Sequence, residues 1–276
     1  MSQNLPDVQN ETDRRKIPLK KVGVKNVLFP LDVNLGAGTQ SVQAQCDLAV
    51  SLSEDQKGTN MSRLVEQLAG LSHNGTLKLD MQKFLKETLK KTQSDQISGR
   101  FAFTYFMSKA APSSKISAPM PYQIIVEYDA GSDEGNSWYD ITLTVKVLAN
   151  NCCPCSKAIS KGGAHNQRIE ITFEGWADED LVDDFSVEDL ITQLESSASC
   201  EMYPILKRPD EKIVTERQYD NPKFVEDVVR DAVKNLKAVH EWHFMGYKVS
   251  AQAFESIHAH DAYAETEVFF VEDEAS

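Results

Sequence analysis

The feature that most limits how this chain can fold is a pair of alternating apolar runs with a cysteine-rich interruption between them. Ile141, Leu143, Val145 and Val147 recur at every second position, and Ile169, Ile171 and Phe173 resume the same period. A period of two is that of a strand with one face buried. The alternation also runs from Ser41 to Leu52, through Val42, Ala44, Cys46, Leu48 and Val50. Further strand signals lie at 100–107, 122–128 and in the tail, 243–272.

Helical spacing supplies apolar stripes to cover such strands. One segment carries Met61, Leu64, Leu68 and Leu71, and the next carries Leu77, Leu79, Met81, Phe84, Leu85 and Leu89. A third helix is expected over 185–199, opened by Ser186 and striped by Leu190, Ile191 and Leu194. A fourth is expected to start at Asn221-Pro222, with Val225, Val228, Val229, Ala232 and Leu236 buried. The order is strands, two helices, strands, then the same again. It predicts an α+β chain of two related halves, 21–150 and 151–276, joined near the cysteines. Residues 1–20 are polar, broken by Pro6 and Pro18, and read as a flexible arm.

Charge and composition exclude several classes. The 276 residues carry a net charge of −13, which argues against general binding to nucleic-acid phosphates. Basic residues gather at Arg14, Arg15, Lys16, Lys20, Lys21 and Lys25. No apolar run reaches the roughly 18–20 residues of a membrane span. The N-terminus lacks the apolar core of a secretory signal, so the expected location is the cytoplasm.

Candidate chemistry centres on Asn150–Arg168, which reads NNCCPCSKAISKGGAHNQR. It holds Cys152, Cys153 and Cys155, three of only five cysteines, with Cys46 and Cys200 isolated elsewhere. A closed zinc knuckle needs two cysteine pairs, and there is no second pair. Cys152 and Cys155 have the spacing of a redox motif but are expected at a strand end, not at a helix start. An open site fits: one thiolate, His165 and a ligand from elsewhere, with a position left for water. Gly162-Gly163 would let the chain double back and bring His165 to the cysteine. The same residues also read as small hydrophobes at a strand end beside a loop histidine.

Two further clusters stand out. In ESIHAH, His258 and His260 on a strand would share a face, as a ligand and a proton shuttle or as a surface pair. His73, His240 and His243 have no such company and read as structural. Lys207 to Arg217 reads as a charged loop, either solvated or supplying cations for phosphates and a carboxylate for a metal. Glu226 is a favourable charge in a first helical turn.

Taken in order, CCPCSKAIS, GAHNQR, CEMYPILKRPDEKIVTERQYDNPKFVEDVVRD and ESIHAHDA resemble the type IB GTP cyclohydrolase I family. PDVQN and IPLKKVGVKNVLFPL fit its opening, and the resemblance runs from Pro6 to about Ala262. It implies a tunnelling fold: antiparallel sheets with helices on one face, two related halves per chain, and a homotetramer whose sheets form barrels with sites near subunit interfaces. It also implies the reaction. GTP and water become 7,8-dihydroneopterin triphosphate and formate, the first step toward tetrahydrofolate.

Roles follow residue by residue from that resemblance. Cys153, His165, Glu211 and His258 match the ligands of one divalent metal, which could be zinc, manganese or iron. Cys153, His258 and His260 are the catalytic candidates. Glu226 matches the acid that meets the guanine edge. Arg168, Lys207, Arg208 and the basic arm are candidates for the triphosphate. Cys155 is a candidate for oxidative pairing with Cys153 or for shaping the site, and Cys152 has no assigned role. Two alternatives remain. One is a nitrile reductase of the same fold, with a nucleophilic cysteine and NADPH. The other is a non-catalytic purine-nucleotide module. The histidines favour the metal-dependent reading.

Overall fold

The computed structural model describes residues 8–36, 38–78, 81–133, 136–178, 185–236 and 239–270. Within these the chain forms one large, mostly antiparallel sheet with six helices. The first part runs β1 (Leu19–Asn34), β2 (Thr39–Leu52), α1 (Met61–Asn74), β3 (Thr76–Leu77), α2 (Gln82–Thr92), β4 (Gln96–Ala110) and β5 (Ser117–Asp133). The second runs β6 (Asn136–Cys152), α3 (Pro154–Ile159), β7 (Asn166–Ala177), α4 (Val187–Glu195), β8 (Cys200–Glu201), α5 (Arg208–Asp220), α6 (Val225–Asn235), β9 (Gly246–Ala253) and β10 (Ala262–Phe269). The strands lie side by side in the order β10-β9-β7-β6-β5-β4-β2-β1-β3, with β8 alongside β6. Only the two-residue β3 is parallel to its neighbour, β1.

Alternation decides which face is covered. Val42, Ala44, Cys46, Leu48 and Val50 of β2 are buried, as are Ile141, Leu143, Val145 and Val147 of β6 and Ile169, Ile171 and Phe173 of β7. They meet Leu64, Leu68 and Leu71 of α1, Leu190, Ile191 and Leu194 of α4, and Val228, Val229 and Ala232 of α6 in one core. Intervening residues point to the other face, where opposite charges pair across strands. Arg100 meets Glu127 at 3.6 Å, Lys146 meets Glu170 at 3.0 Å and Lys248 meets Glu265 at 2.6 Å.

Several expected elements fall elsewhere, for local reasons. Leu77 lies in β3 rather than in a helix, paired with Val33. Leu77, Leu79 and Met81 are two apart, which is strand spacing; α2 starts only at Gln82, and Leu79 lies outside the described residues. Asn221 does not open a helix. It closes α5, its N–H donating to Arg217 O, and α6 begins at Val225. The charged stretch after Lys207 is α5 rather than a loop. Its buried positions are Asp210, Val214 and Gln218, an i, i+4, i+8 stripe in which only one member is apolar.

The 150/151 boundary falls inside β6, which pairs with β5 and β7. The repeated order of hairpin, helices and hairpin instead joins its two copies between β5 and β6. The basic N-terminal stretch is docked from residue 11 onward. Asp13 N donates to Asp55 O at 2.9 Å and Lys57 N to Glu11 O at 3.2 Å. Lys16 pairs with Asp55, and β1 has begun by Leu19.

Candidate active site

Cys152 and Cys153 end the β6 ladder. The last bond of that ladder runs from Cys153 N to His165 O at 3.1 Å. Pro154 has no N–H with which to extend the ladder, and its fixed φ suits the first turn of a helix. Cys153 is therefore the N-cap of the six-residue α3, which corrects the expectation that the cysteines do not open a helix. Gly162, at φ 147°, turns the chain back in a conformation side chains rarely adopt. Ser156 closes the loop, its hydroxyl donating to Cys153 O and accepting from His165 N, both at 3.1 Å.

Sheet register delivers the second component. Ile169 pairs with Ala253, and Phe254 N donates to Arg168 O at 2.9 Å. Continued by one step, that register sets Glu255 beside Gln167. Gln167 Nε2 donates to Glu255 Oε1 at 3.3 Å, and Gln167 Oε1 is 2.9 Å from His165 Nδ1. Glu255 Oε2 lies 3.7 Å from the same nitrogen and is buried without a hydrogen-bond partner.

His258 and His260 come from the β9–β10 loop, not from a strand. Bends stack their rings 5.2 Å apart, and the His258 ring stands edge-on to His165 at 6.3 Å. Both are exposed. The Cys153 backbone is thus bonded to that of His165, whose ring lies beside the Glu255 carboxylate and the His258 ring, a group whose imidazoles and carboxylate can move protons.

Other residues singled out in the sequence lie apart. Glu211 is exposed on α5 and does not join this group. Lys207 and Arg208 are exposed at the start of α5, and Arg168 is exposed on β7, next to the buried Gln167. Glu226 is exposed in the first turn of α6. The approach to that turn is tied to the cysteines, because Lys223 N donates to Cys152 O at 3.0 Å and Asn151 Nδ2 to Lys223 O at 3.1 Å. Cys155 is exposed on α3. Among the described residues, no three His, Cys, Asp or Glu side chains lie close enough to hold a metal.

Cys152, without a role in the sequence, is held at both backbone groups. Its N–H donates to Ser199 Oγ at 3.1 Å, and its carbonyl accepts from Lys223. Burial pushes its thiol pKa up, against a smaller pull from Lys157. Asp210 ties α5 down. It accepts from Ser113 N, Ser114 N, Ser114 Oγ and Lys207 N at 2.6–2.9 Å. Its burial opposes ionisation, but these hydrogen bonds outweigh it and hold the carboxyl far below its usual range.

Sequence reasoning missed Gln167 and Glu255. Gln167 carried a signal: it occupies a core-facing position in the alternation of Ile169 and Ile171, where a carboxamide needs a reason to be. Glu255 carried none beyond standing near two histidines.

Comparison with known proteins assigns the chain. A model of the family described as type I GTP cyclohydrolase folE2 matches residues 5–264. GTP cyclohydrolase FolE2 of Janthinobacterium sp. (strain Marseille) is 43% identical over 263 residues, covering 94% of this chain and 93% of that protein. GTP cyclohydrolase FolE2 of Magnetococcus marinus is 41% identical, covering 94% of each. Among solved structures, uricase from Arthrobacter globiformis superposes with a TM-score of 0.46 at 7% identity, over 98% of this chain and 97% of that one. The chain belongs to the type I GTP cyclohydrolase FolE2 family.

Proposed function

We propose that the chain is a GTP cyclohydrolase I, converting GTP and water to 7,8-dihydroneopterin triphosphate and formate. The site reading is supported by the backbone bond of Cys153 to His165 and by the grouping of the His165 ring with Glu255 and His258, drawn from the β6–α3 junction, the start of β7 and the β9–β10 loop. Family membership over nearly the whole chain supports the reaction.

The donor types suit one divalent metal, although among the described residues no three of them lie within reach of one ion, so further groups must join them. Glu255 Oε2 is an orphaned buried oxygen beside His165. Cys153, His165, His258 and Glu211 would hold the ion, whether zinc, manganese or iron, with Glu211 brought in from α5. When bound, the ion would supply Lewis acidity that makes water a nucleophile near neutral pH.

The chain's own groups do the rest. Glu226 presents two oxygens to the adjacent N1–H and 2-amino donors of guanine. Hydration at C8, imidazole-ring opening, release of formate and the Amadori-type rearrangement of the ribose each move protons. His258 and His260 would donate and accept them, a reading supported by their exposed, stacked rings. Arg168, Lys207 and Arg208 form no ion pair among the described residues and remain available to a triphosphate. We place this chemistry in a tunnelling-fold homotetramer that brings these scattered groups together at subunit interfaces. The setting is the cytoplasm; no helix among the described residues is long and apolar enough to cross a membrane.

The test is incubation with GTP, reading formate and, after oxidation, pterin fluorescence. It is run on the protein as isolated, after chelation and after metal reconstitution. Turnover lost on chelation, restored by metal and absent in Cys153→Ala supports the proposal. Metal-free protein that oxidises NADPH with a nitrile substrate overturns it, as does nucleotide binding without turnover.

A further inference from the structure

We infer that Gln167 is a positioning residue that locks His165 in the Nδ1–H tautomer and leaves Nε2 as the free lone pair. The role rests on the cyclohydrolase reading for its purpose but not for its geometry.

Gln167 turns its amide nitrogen, which only donates, toward Glu255 Oε1, 3.3 Å away. That orientation points its carbonyl oxygen at His165 Nδ1, 2.9 Å away. A carbonyl oxygen also only accepts, so the proton must sit on Nδ1. The second Glu255 oxygen, 3.7 Å from the same nitrogen, pulls in the same direction. His165 Nε2 has no partner among the described residues, so the tautomer is decided at Nδ1 alone. Gln167 and the His165 and Glu255 side chains are all largely buried, with 9% of Gln167 and 12–13% of the other two exposed. Bulk water is thus largely kept from competing for these bonds.

A neutral imidazole with Nδ1–H engaged is the form that ligates a metal or accepts a proton through Nε2. Free histidine prefers the opposite tautomer.

The direct test reads the tautomer, not the turnover. Nitrogen-15 NMR of histidine-labelled, metal-free protein is recorded at a pH where the rings are neutral, with His165→Gln used to assign the resonance. The expected wild-type signature is a protonated-type Nδ1 and an unprotonated-type Nε2 for His165. In Gln167→Leu, which keeps the bulk and loses both hydrogen bonds, the population moves toward Nε2–H. Zinc affinity, measured separately by competition with a chelating dye, falls about 10–100-fold. An Nε2–H signature in the wild type overturns the inference, as does an unchanged His165 spectrum in a folded Gln167→Leu. If Gln167→Leu fails to fold, the wild-type spectrum alone decides. Failure of the cyclohydrolase reading would appear as absent formate release with the tautomer result intact, so the two can be told apart.

Discussion

The thiols of Cys152 and Cys153 are one peptide bond apart and face different surroundings. Cys152 is 2% exposed, with both backbone groups bonded to other segments, whereas Cys153 is only partly covered. Native alkylation should reach Cys155 first and spare Cys46, Cys152 and Cys200; mass spectrometry after brief iodoacetamide treatment checks the order. Cys46 adds a pH dependence. Burial in the core, and secondarily the charge of Asp47, pushes its thiol from 9.0 up to about 12. The folded state thus favours the neutral thiol. The associated stability is complete below pH 9 and is lost as pH rises toward 12. The urea midpoint should fall over that window, and less steeply in Cys46→Ala than in the parent protein. If Glu226 meets the guanine edge as proposed, Glu226→Gln keeps the shape and replaces one acceptor oxygen with a donor. Losing a charged hydrogen bond of about 1.5–3 kcal/mol predicts a fall in kcat/KM for GTP of roughly 10–150-fold. Steady-state kinetics read it, mainly as a rise in KM.

Among the elements, α4 shows how local and tertiary terms combine. Ser186 caps it, accepting from Asp189 N at 3.4 Å, and its apolar side is fully buried at Leu190, Ile191 and Leu194. Ser186→Ala should cost about 0.5–1 kcal/mol, the lower part of the usual range for a cap, because the bond is long. Leu190→Ala should cost about 2–5 kcal/mol, since it removes a side chain with 0% exposure and leaves a cavity. Equilibrium urea unfolding separates the two. In α5 the situation is reversed. It has almost no apolar stripe, and its start is held by the four bonds of Asp210 to the β4–β5 connection and to Lys207. A helix held by a buried carboxylate gives no hydrophobic period to read.

For the whole molecule, the sheet has two open edges. Beyond the short β3, β1 has no further partner among the described residues, and β10 is flanked only by β9. Leu28 on β1 is 60% exposed and Phe269 on β10 is 64% exposed. Long unpaired edges carrying exposed apolar side chains are a liability that pairing between copies removes. The proposed tetramer predicts a mass four times that of the chain by light scattering, retained on dilution through the working range. A monomer at those concentrations would sink it.

Much of this molecule is legible in its sequence alone. The alternating runs identify the strands and their buried faces, because a period of two is a property of neighbouring residues. The stripes of Leu64, Leu68 and Leu71, and of Val225, Val228 and Val229, mark α1 and α6 for the same reason. Cys153 and His165 can be linked because Gly162-Gly163 lets the chain double back between them. Only the tertiary structure decided the rest. Glu255 reaches Gln167 through the β7–β9 register, which joins positions 88 residues apart. His258 and His260 share a side because a loop stacks them, not because a strand aligns them. α5 exists because Asp210 finds four donors, two of its partners nearly a hundred residues away. Hydrophobic period is written into adjacent residues; hydrogen-bond partners across the sheet are chosen only when the strands meet.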